Sequence, residues 1–357
     1  MKVYIKFIVI NFLKSLLFVS SIIFCLIFIL NLLTEFEFFR EIKVKYYFPI
    51  YLSLLNSPVL IFEMFPFIFL ITSQLFFINL LNNNELETLK YSGLKNSKIL
   101  GILTTISFFT GVLIVLVFYN FSSNLKNIYL ELKSPFTNDG KYLAVVTKNG
   151  LWIRDKIGEN TIVINSSKID NNYLIDNFIT IFDDKYNVLK NINSNKIDIT
   201  NYEWLVYDPK IYKKNNYENK EIIILNTNFN YKRIQSLYSN LTSLSVFELY
   251  ELRENYKKLN YSLTDVDLQL LKLFTNPFYL VLMSLFSALL MIKIKQVSGT
   301  TIKISLGLFF SVVIYYINNF FFVLGSTEKL SIMFSIFTPL IMLTFINIFM
   351  LNRINEK

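Results

Sequence analysis

The chain has 357 residues, 53% of them hydrophobic, and a formal net charge of +9 from 35 Lys/Arg against 26 Asp/Glu. It holds no His and one Cys, which excludes histidine-based acid/base chemistry, His-ligated metals and any intrachain disulfide. Nearly all the bases are Lys, and Asn, Ile, Phe and Tyr are abundant, a pattern of AT-rich codon use, so the charge does not point to a nucleic-acid partner.

Six apolar blocks lie at 7–33, 59–81, 99–121, 270–292, 304–324 and 331–351. Each matches the roughly 20 residues needed to cross a bilayer core. The layout predicts a polytopic α-helical membrane protein with six spans, three plus three, and one polar domain inserted between them. The expected boundaries are 1–123 for the first three spans, 124–240 for the insert, and 241–357 for connecting helices and the last three spans.

The first block reads as an uncleaved helix. Its run from Ser15 to Leu33 exceeds a secretory h-region of about 7–15 residues, and no small-x-small site follows. Ile23-Phe24 before Cys25 is a poor lipoprotein cleavage site, and Cys25 is expected to be inert packing. The second block is long and interrupted by Pro58 and Pro66. Because proline removes a backbone donor and disfavours helix before it, an interfacial stretch over 46–57 and a crossing from Val59 are expected. Glu63 falls near the outer boundary of that crossing; a carboxylate there is a functional candidate, with a Glu reaching to the interface as the rival reading.

Between the second and third spans, residues 84–94 predict a short amphipathic helix. Asn84 is a candidate cap, Glu85 and Glu87 suit the first turn, Leu86 and Leu89 form one apolar stripe, and Gly93 ends it. The insert changes period. Runs at Tyr142–Thr147, Leu151–Arg154, Thr161–Ile164, Tyr173–Phe182, Tyr202–Tyr207 and Glu221–Leu225, divided by Asn, Asp, Gly and Lys, predict an all-β sandwich or jelly-roll-like domain. After it, Ser245-x-x-Glu248 is a capping box and Thr264-x-x-Asp267 opens a further helix, so two short helices return the chain to the membrane. In the fifth span Gly307-x-x-x-Ser311 permits close helix approach.

Lys2, Lys6, Lys90, Lys95, Lys98, Lys293, Lys295, Lys303, Arg353 and Lys357 gather on one side. The opposite short loops dilute Arg40, Lys43 and Lys45 with Glu35, Glu37 and Glu41, and Lys329 with Glu328. Both termini are therefore expected in the cytoplasm and the insert outside. No phosphate loop, nucleophile elbow, metal-ligand spacing or intramembrane carboxylate pair occurs, so no catalytic residue, metal or cofactor is expected.

The layout resembles the permease subunits of the lipopolysaccharide-transport ABC exporter, the LptF/LptG family. Asn84-Glu85-Leu86-x-x-Leu89-Lys90-x-Ser92-Gly93 is similar to that family's coupling helix. Gly150-Leu151-Trp152-Ile153-Arg154-Asp155 followed by Val163-Ile164 resembles a signature of the G-type subunit. Ser57-Pro58, Pro66, Leu244-Ser245-x-x-Glu248-Leu249 and Pro277 are collinear with the family as well. One departure is the outer end of the first span. Asn31 to Glu37 is acidic where members often carry bases for lipid phosphates, so Arg40, Lys43 and Lys45 take that role or the substrate is less phosphorylated.

The resemblance implies a non-enzymatic permease subunit in the bacterial inner membrane, with the β domain in the periplasm. It implies an F-type paralogue as partner, a cytoplasmic LptB-type ATPase dimer with Glu85 in its groove, and a periplasmic LptC/LptA-type bridge of β-jelly-roll fold. Lipopolysaccharide would enter between the permeases, with the first and fifth spans as gate. Coupling would fall to Glu85, Leu86, Leu89, Lys90 and Gly93, and lipid contact to Arg40, Lys43, Lys45 and Glu63. A lipoprotein-release type ABC permease and a non-transporting sensor or scaffold are the alternatives; the former usually has four spans with its external domain after the first. An enzyme of membrane lipids is disfavoured by the missing catalytic groups.

Overall fold

The computed structural model describes residues 3–133, 136, 151–157, 160–170, 172–213, 216–231, 234, 240–258, 262–294 and 299–355. The strand expected over 142–147, and Gly150, lie outside them.

Among the described residues, six helices are long and apolar enough to cross a membrane. They are α1 (Val3–Phe38), α2 (Tyr47–Asn82), α4 (Asn96–Leu113) continued by α5 (Asn120–Lys133), α7 (Thr264–Lys293), α8 (Thr300–Ser326) and α9 (Ile332–Asn355). Two shorter helices among the described residues are α3 (Glu85–Tyr91) and α6 (Val246–Lys258). Between α4 and α5, one π-helical turn at Ile114–Tyr119 carries the backbone on without a break.

The spans are not equivalent. In α2 and α7, 61% and 67% of the most apolar window is buried, against 11% in α1 and in α8. The second and fourth spans are therefore the centre of the bundle, and the first and fifth keep most of their apolar surface outward. Phe12 of α1 meets Phe69 and Phe76 of α2 edge to face at 6.3 and 6.1 Å, a favoured arrangement of ring quadrupoles. Small residues set the closest approaches. A Cβ on Gly111 of α4 would lie 3.0 Å from the Pro277 Cα of α7, and one on Gly307 of α8 would overlap the Gln74 amide of α2. The close approach expected at Gly307 is thus made, against a buried Gln74 whose Nε2 donates to the Lys303 carbonyl.

Two expectations need correction. The helix of the second span does not begin at Val59; α2 runs unbroken from Tyr47 through both prolines. Ser53 and Ser57, just before Pro58, donate their hydroxyls to the carbonyls four residues back, so polar groups are met within the helix itself. Likewise the segment after Thr264 is no separate short helix, because α7 continues through Pro277 to Lys293. The Ser245–Glu248 box does form at the head of α6, with Ser245 N donating to Glu248 Oε2 at 2.7 Å and Glu248 N to Ser245 Oγ at 3.3 Å. Cys25 is exposed on α1 rather than packed.

Residues Leu130–Asn240 with Glu251–Ser262 form a second compact unit. Within it, the β structure expected for the insert is realised as an open antiparallel sheet. Strands β1 (Leu151–Ile157), β2 (Asn160–Asp170), β3 (Tyr173–Phe182), β4 (Val188–Asp198), β5 (Glu203–Tyr207) and β8 (Ile222–Asn226) pair in that order. β6 (Lys210–Lys213) and β7 (Asn216–Asn219) branch off β4. β4 is the fork: residues 196–198 pair with β5 and residues 191–193 with β6. One face of the sheet carries the core, with Leu151, Ile153, Ile164, Leu174, Ile179, Ile192, Ile197 and Trp204 all buried. Registers such as Ile179↔Ile192 and Leu174↔Ile197 stack these side chains across strands. The Trp204 indole donates to the Phe229 carbonyl at 2.8 Å, so its one polar group is met inside the core.

Candidate functional site

Helix α3 has only two turns, too few to hold a helix in water without tertiary packing. Leu86 provides that packing; it is buried while Leu89 is half-buried, so the expected apolar stripe faces the bundle. Full burial of one Leu is worth about 2 kcal/mol. The start differs from expectation. Asn84 stands at the N-cap in the left-handed conformation (φ 55°) and makes no side-chain cap; its carbonyl accepts from the Thr88 amide and hydroxyl instead. The end is as expected. Gly93 at φ 83° lets Leu94 N donate to the Leu89 carbonyl at 3.1 Å and Gly93 N to the Lys90 carbonyl at 2.9 Å, a Schellman stop.

Glu85, Leu89 and Gly93 line a groove of about 580 Å³ together with Val3, Tyr4 and Phe7 of α1. Lys90 and Tyr91 are exposed, Tyr91 at 89%. The five coupling candidates thus divide by task. Leu86 anchors the helix, Gly93 stops it, Glu85 and Leu89 form the wall of a groove, and Lys90 faces outward.

The lipid candidates do not gather in one place. Arg40, Lys43 and Lys45 are exposed in the turn between α1 and α2. Glu63 lies 16 residues beyond Tyr47 along α2, roughly 24 Å further down the axis at about 1.5 Å per residue. It lines a different cleft, beside Lys272 and Asn276 of α7.

The acidic stretch at the end of α1 turns out to be structural in part. Glu35 is buried, at 1% exposure, and accepts a hydrogen bond of 2.8 Å from the Tyr129 hydroxyl of α5. One turn earlier, Asn31 Nδ2 donates to the Ser53 carbonyl, Asn56 Nδ2 to Asn31 Oδ1, and Lys126 Nζ to Asn56 Oδ1 at 2.6 Å. This chain of polar contacts ties α1, α2 and α5 together. Sequence reasoning missed it because it treated Glu35 as a loop charge; the Asn31–Glu35 spacing of one helical turn was the available signal.

Residues 6–353 match the family described as lipopolysaccharide export system permease LptF/LptG. The chain belongs to the LptF/LptG family. Among curated proteins, none matches its sequence. The family covers both subunit types over nearly the whole chain, and the six apolar helices are those of a transmembrane lipopolysaccharide permease. In this LptF/LptG chain, Leu151 and Ile153 of the quoted Gly-Leu-Trp segment point into the sheet core, while Trp152 is 54% exposed. Asp155 of the same segment is buried and accepts from both the backbone and the side-chain nitrogen of Asn228, each at 2.8 Å, pinning the chain after β8 to β1.

Proposed function

We propose that this chain is the G-type transmembrane subunit of an ABC exporter that extracts lipopolysaccharide from the bacterial inner membrane and passes it to a periplasmic bridge protein. An F-type paralogue pairs with it, and a separate cytoplasmic ATPase dimer supplies the work. The termini and α3 lie in the cytoplasm, the sheet in the periplasm. ATP binding closes the ATPases, pushes on α3 through Glu85 and its groove, and narrows a lipid cavity bounded by the two permeases. Arg40, Lys43 and Lys45 meet phosphates and sugars at its outer rim, being exposed and, among the described residues, without a carboxylate partner.

The observation that carries this reading is α3. A two-turn helix stopped by Gly93, seated through Leu86 and presenting Glu85, Lys90 and Tyr91, transmits a push to the spans without melting. The exposed apolar faces of α1 and α8 suit the two spans expected to meet the partner permease. Replacing Glu85 by Lys reverses the charge at the groove. Co-purification of the ATPase with the E85K chain should fall at least about tenfold, the equivalent of one lost charge-assisted contact. Undiminished co-purification would overturn the coupling role and favour a scaffold.

A further inference from the structure

Charged and amide side chains are expensive where spans meet lipid, and they mark ligand paths when they face a cavity. A cleft of about 250 Å³ between α2, α7, α8 and α9 collects five of them, Glu63, Lys272, Asn276, Asn318 and Asn319, together with the Tyr315 phenol. Lys272 stands 8 residues from the start of α7, and Asn318 stands 8 from the end of α8. Both lie roughly 12 Å below the end of the bundle from which the inserted domain departs, at about 1.5 Å per residue. Those helices outrun a bilayer core of about 30 Å, and the cleft lies in the half of the bundle nearer that end.

Two features call for an occupant. Glu63 and Lys272 line one small cleft, yet among the described residues neither has an oppositely charged partner within 4 Å. The Lys272 ammonium rests 5.1 Å over the Phe322 ring instead. One helical turn below Lys272, Asn276 is 91% buried and its Nδ2 has no hydrogen-bond partner. A buried amide left unpaired is costly, and Asn276 lines this cleft.

We propose that this cleft binds a zwitterionic lipid headgroup, a phosphodiester bearing a primary ammonium. The phosphate takes Lys272 beside Asn276, the ammonium takes Glu63, and Asn318, Asn319 and Tyr315 close the rim. A bare cation would find a single carboxylate and a repelling lysine. A bare anion would meet Glu63. A neutral sugar would leave both charges unmatched. Counting roughly 30 Å³ for each water-sized group, the space holds about eight non-hydrogen atoms, the size of phosphoethanolamine. The site does not depend on the exporter reading, since any membrane protein can hold a resident phospholipid.

The test reconstitutes the full-length chain in vesicles of equal phosphatidylethanolamine, phosphatidylcholine and phosphatidylglycerol, extracts it mildly, and quantifies the lipids that remain. Phosphatidylethanolamine should be enriched about tenfold over phosphatidylcholine, whose methyl groups block hydrogen bonds to Glu63, and over phosphatidylglycerol, which has no cation. E63Q keeps shape at an exposed position and should abolish the preference over phosphatidylglycerol. N276L should lower retention without lowering the thermal midpoint, separating lost binding from lost folding. Lipids retained in the vesicle ratio, enrichment of phosphatidylglycerol, or a preference that survives E63Q would each overturn the proposal.

Discussion

At the scale of single residues, the polar groups decide how the apolar helices are fixed. Tyr129 is buried, and its hydroxyl reaches Glu35, which is out of contact with solvent. The Tyr129→Phe change removes that donor and leaves everything apolar in place. It should cost about 1–3 kcal/mol, seen as a lower unfolding midpoint in detergent; an unchanged midpoint would mean that the pin between α1 and α5 carries no load. Little of this was legible in the sequence. Glu35, Glu37 and Glu41 look alike as acidic residues at a span end, yet Glu35 is buried and the other two are exposed. The difference comes from a tyrosine 94 residues away, which no local pattern reveals. Lys272, Asn276 and Asn318 went unremarked in the sequence, because only packing between α2, α7 and α8 brings them to one cleft.

At the scale of elements, α3 was readable because its signals are local: a leucine pair, acidic first-turn residues and a stop glycine. Its cap was not, since Asn84 adopts the left-handed conformation instead of offering its side chain. The Gly93 stop makes a clear prediction. No atom lies within 4 Å of a Cβ built there, so a substitution acts through φ alone. Gly93→Val should cost about 1–2 kcal/mol at the helix end and uncouple ATP hydrolysis from lipid release, whereas Gly93→Asn, which tolerates the left-handed region, should retain coupling. Equal behaviour of the two variants would contradict the Schellman stop as the reason for the glycine.

The sheet shows the converse. β4 escaped the sequence reading because only Ile192 and Ile197 of its 11 residues are apolar and fully buried, the rest being largely Asn, Lys and Ser. Long-range pairing to three neighbours makes it a strand. Its entry turn is held by Asp183, whose carboxylate accepts from the Asn187 side chain and from the Asn187 and Lys185 amides. The Asn187 side chain, then its backbone amide, hold that carboxyl below its ordinary value. The turn's stabilisation is therefore complete above the unfolded carboxylate's pKa and fades as pH falls through the depressed native one. Hydrogen-exchange protection of Lys185 and Asn187 should drop on acidification below the usual carboxylate range, while the β1–β2 ladder keeps its protection; loss in both together would contradict a local cause.

At the scale of the molecule, the three-plus-three layout and the β insert were legible because a bilayer forces long apolar helices and an aqueous domain forces period-two strands. What the sequence could not give was the ranking of the spans, with α2 and α7 at the centre and α1 and α8 left open, because that ranking is set by packing between segments some 200 residues apart. An open first and fifth span on an LptF/LptG chain suits assembly with a second permease. The central claim is that this chain works as one subunit of an ATP-driven exporter. Native mass spectrometry of the tagged chain, gently purified from its own or a related bacterial membrane, tests it most directly. The account predicts a complex holding one similar-sized paralogue, two copies of an ATPase and bound glycolipid. A lone chain or a homodimer without an ATPase would contradict it.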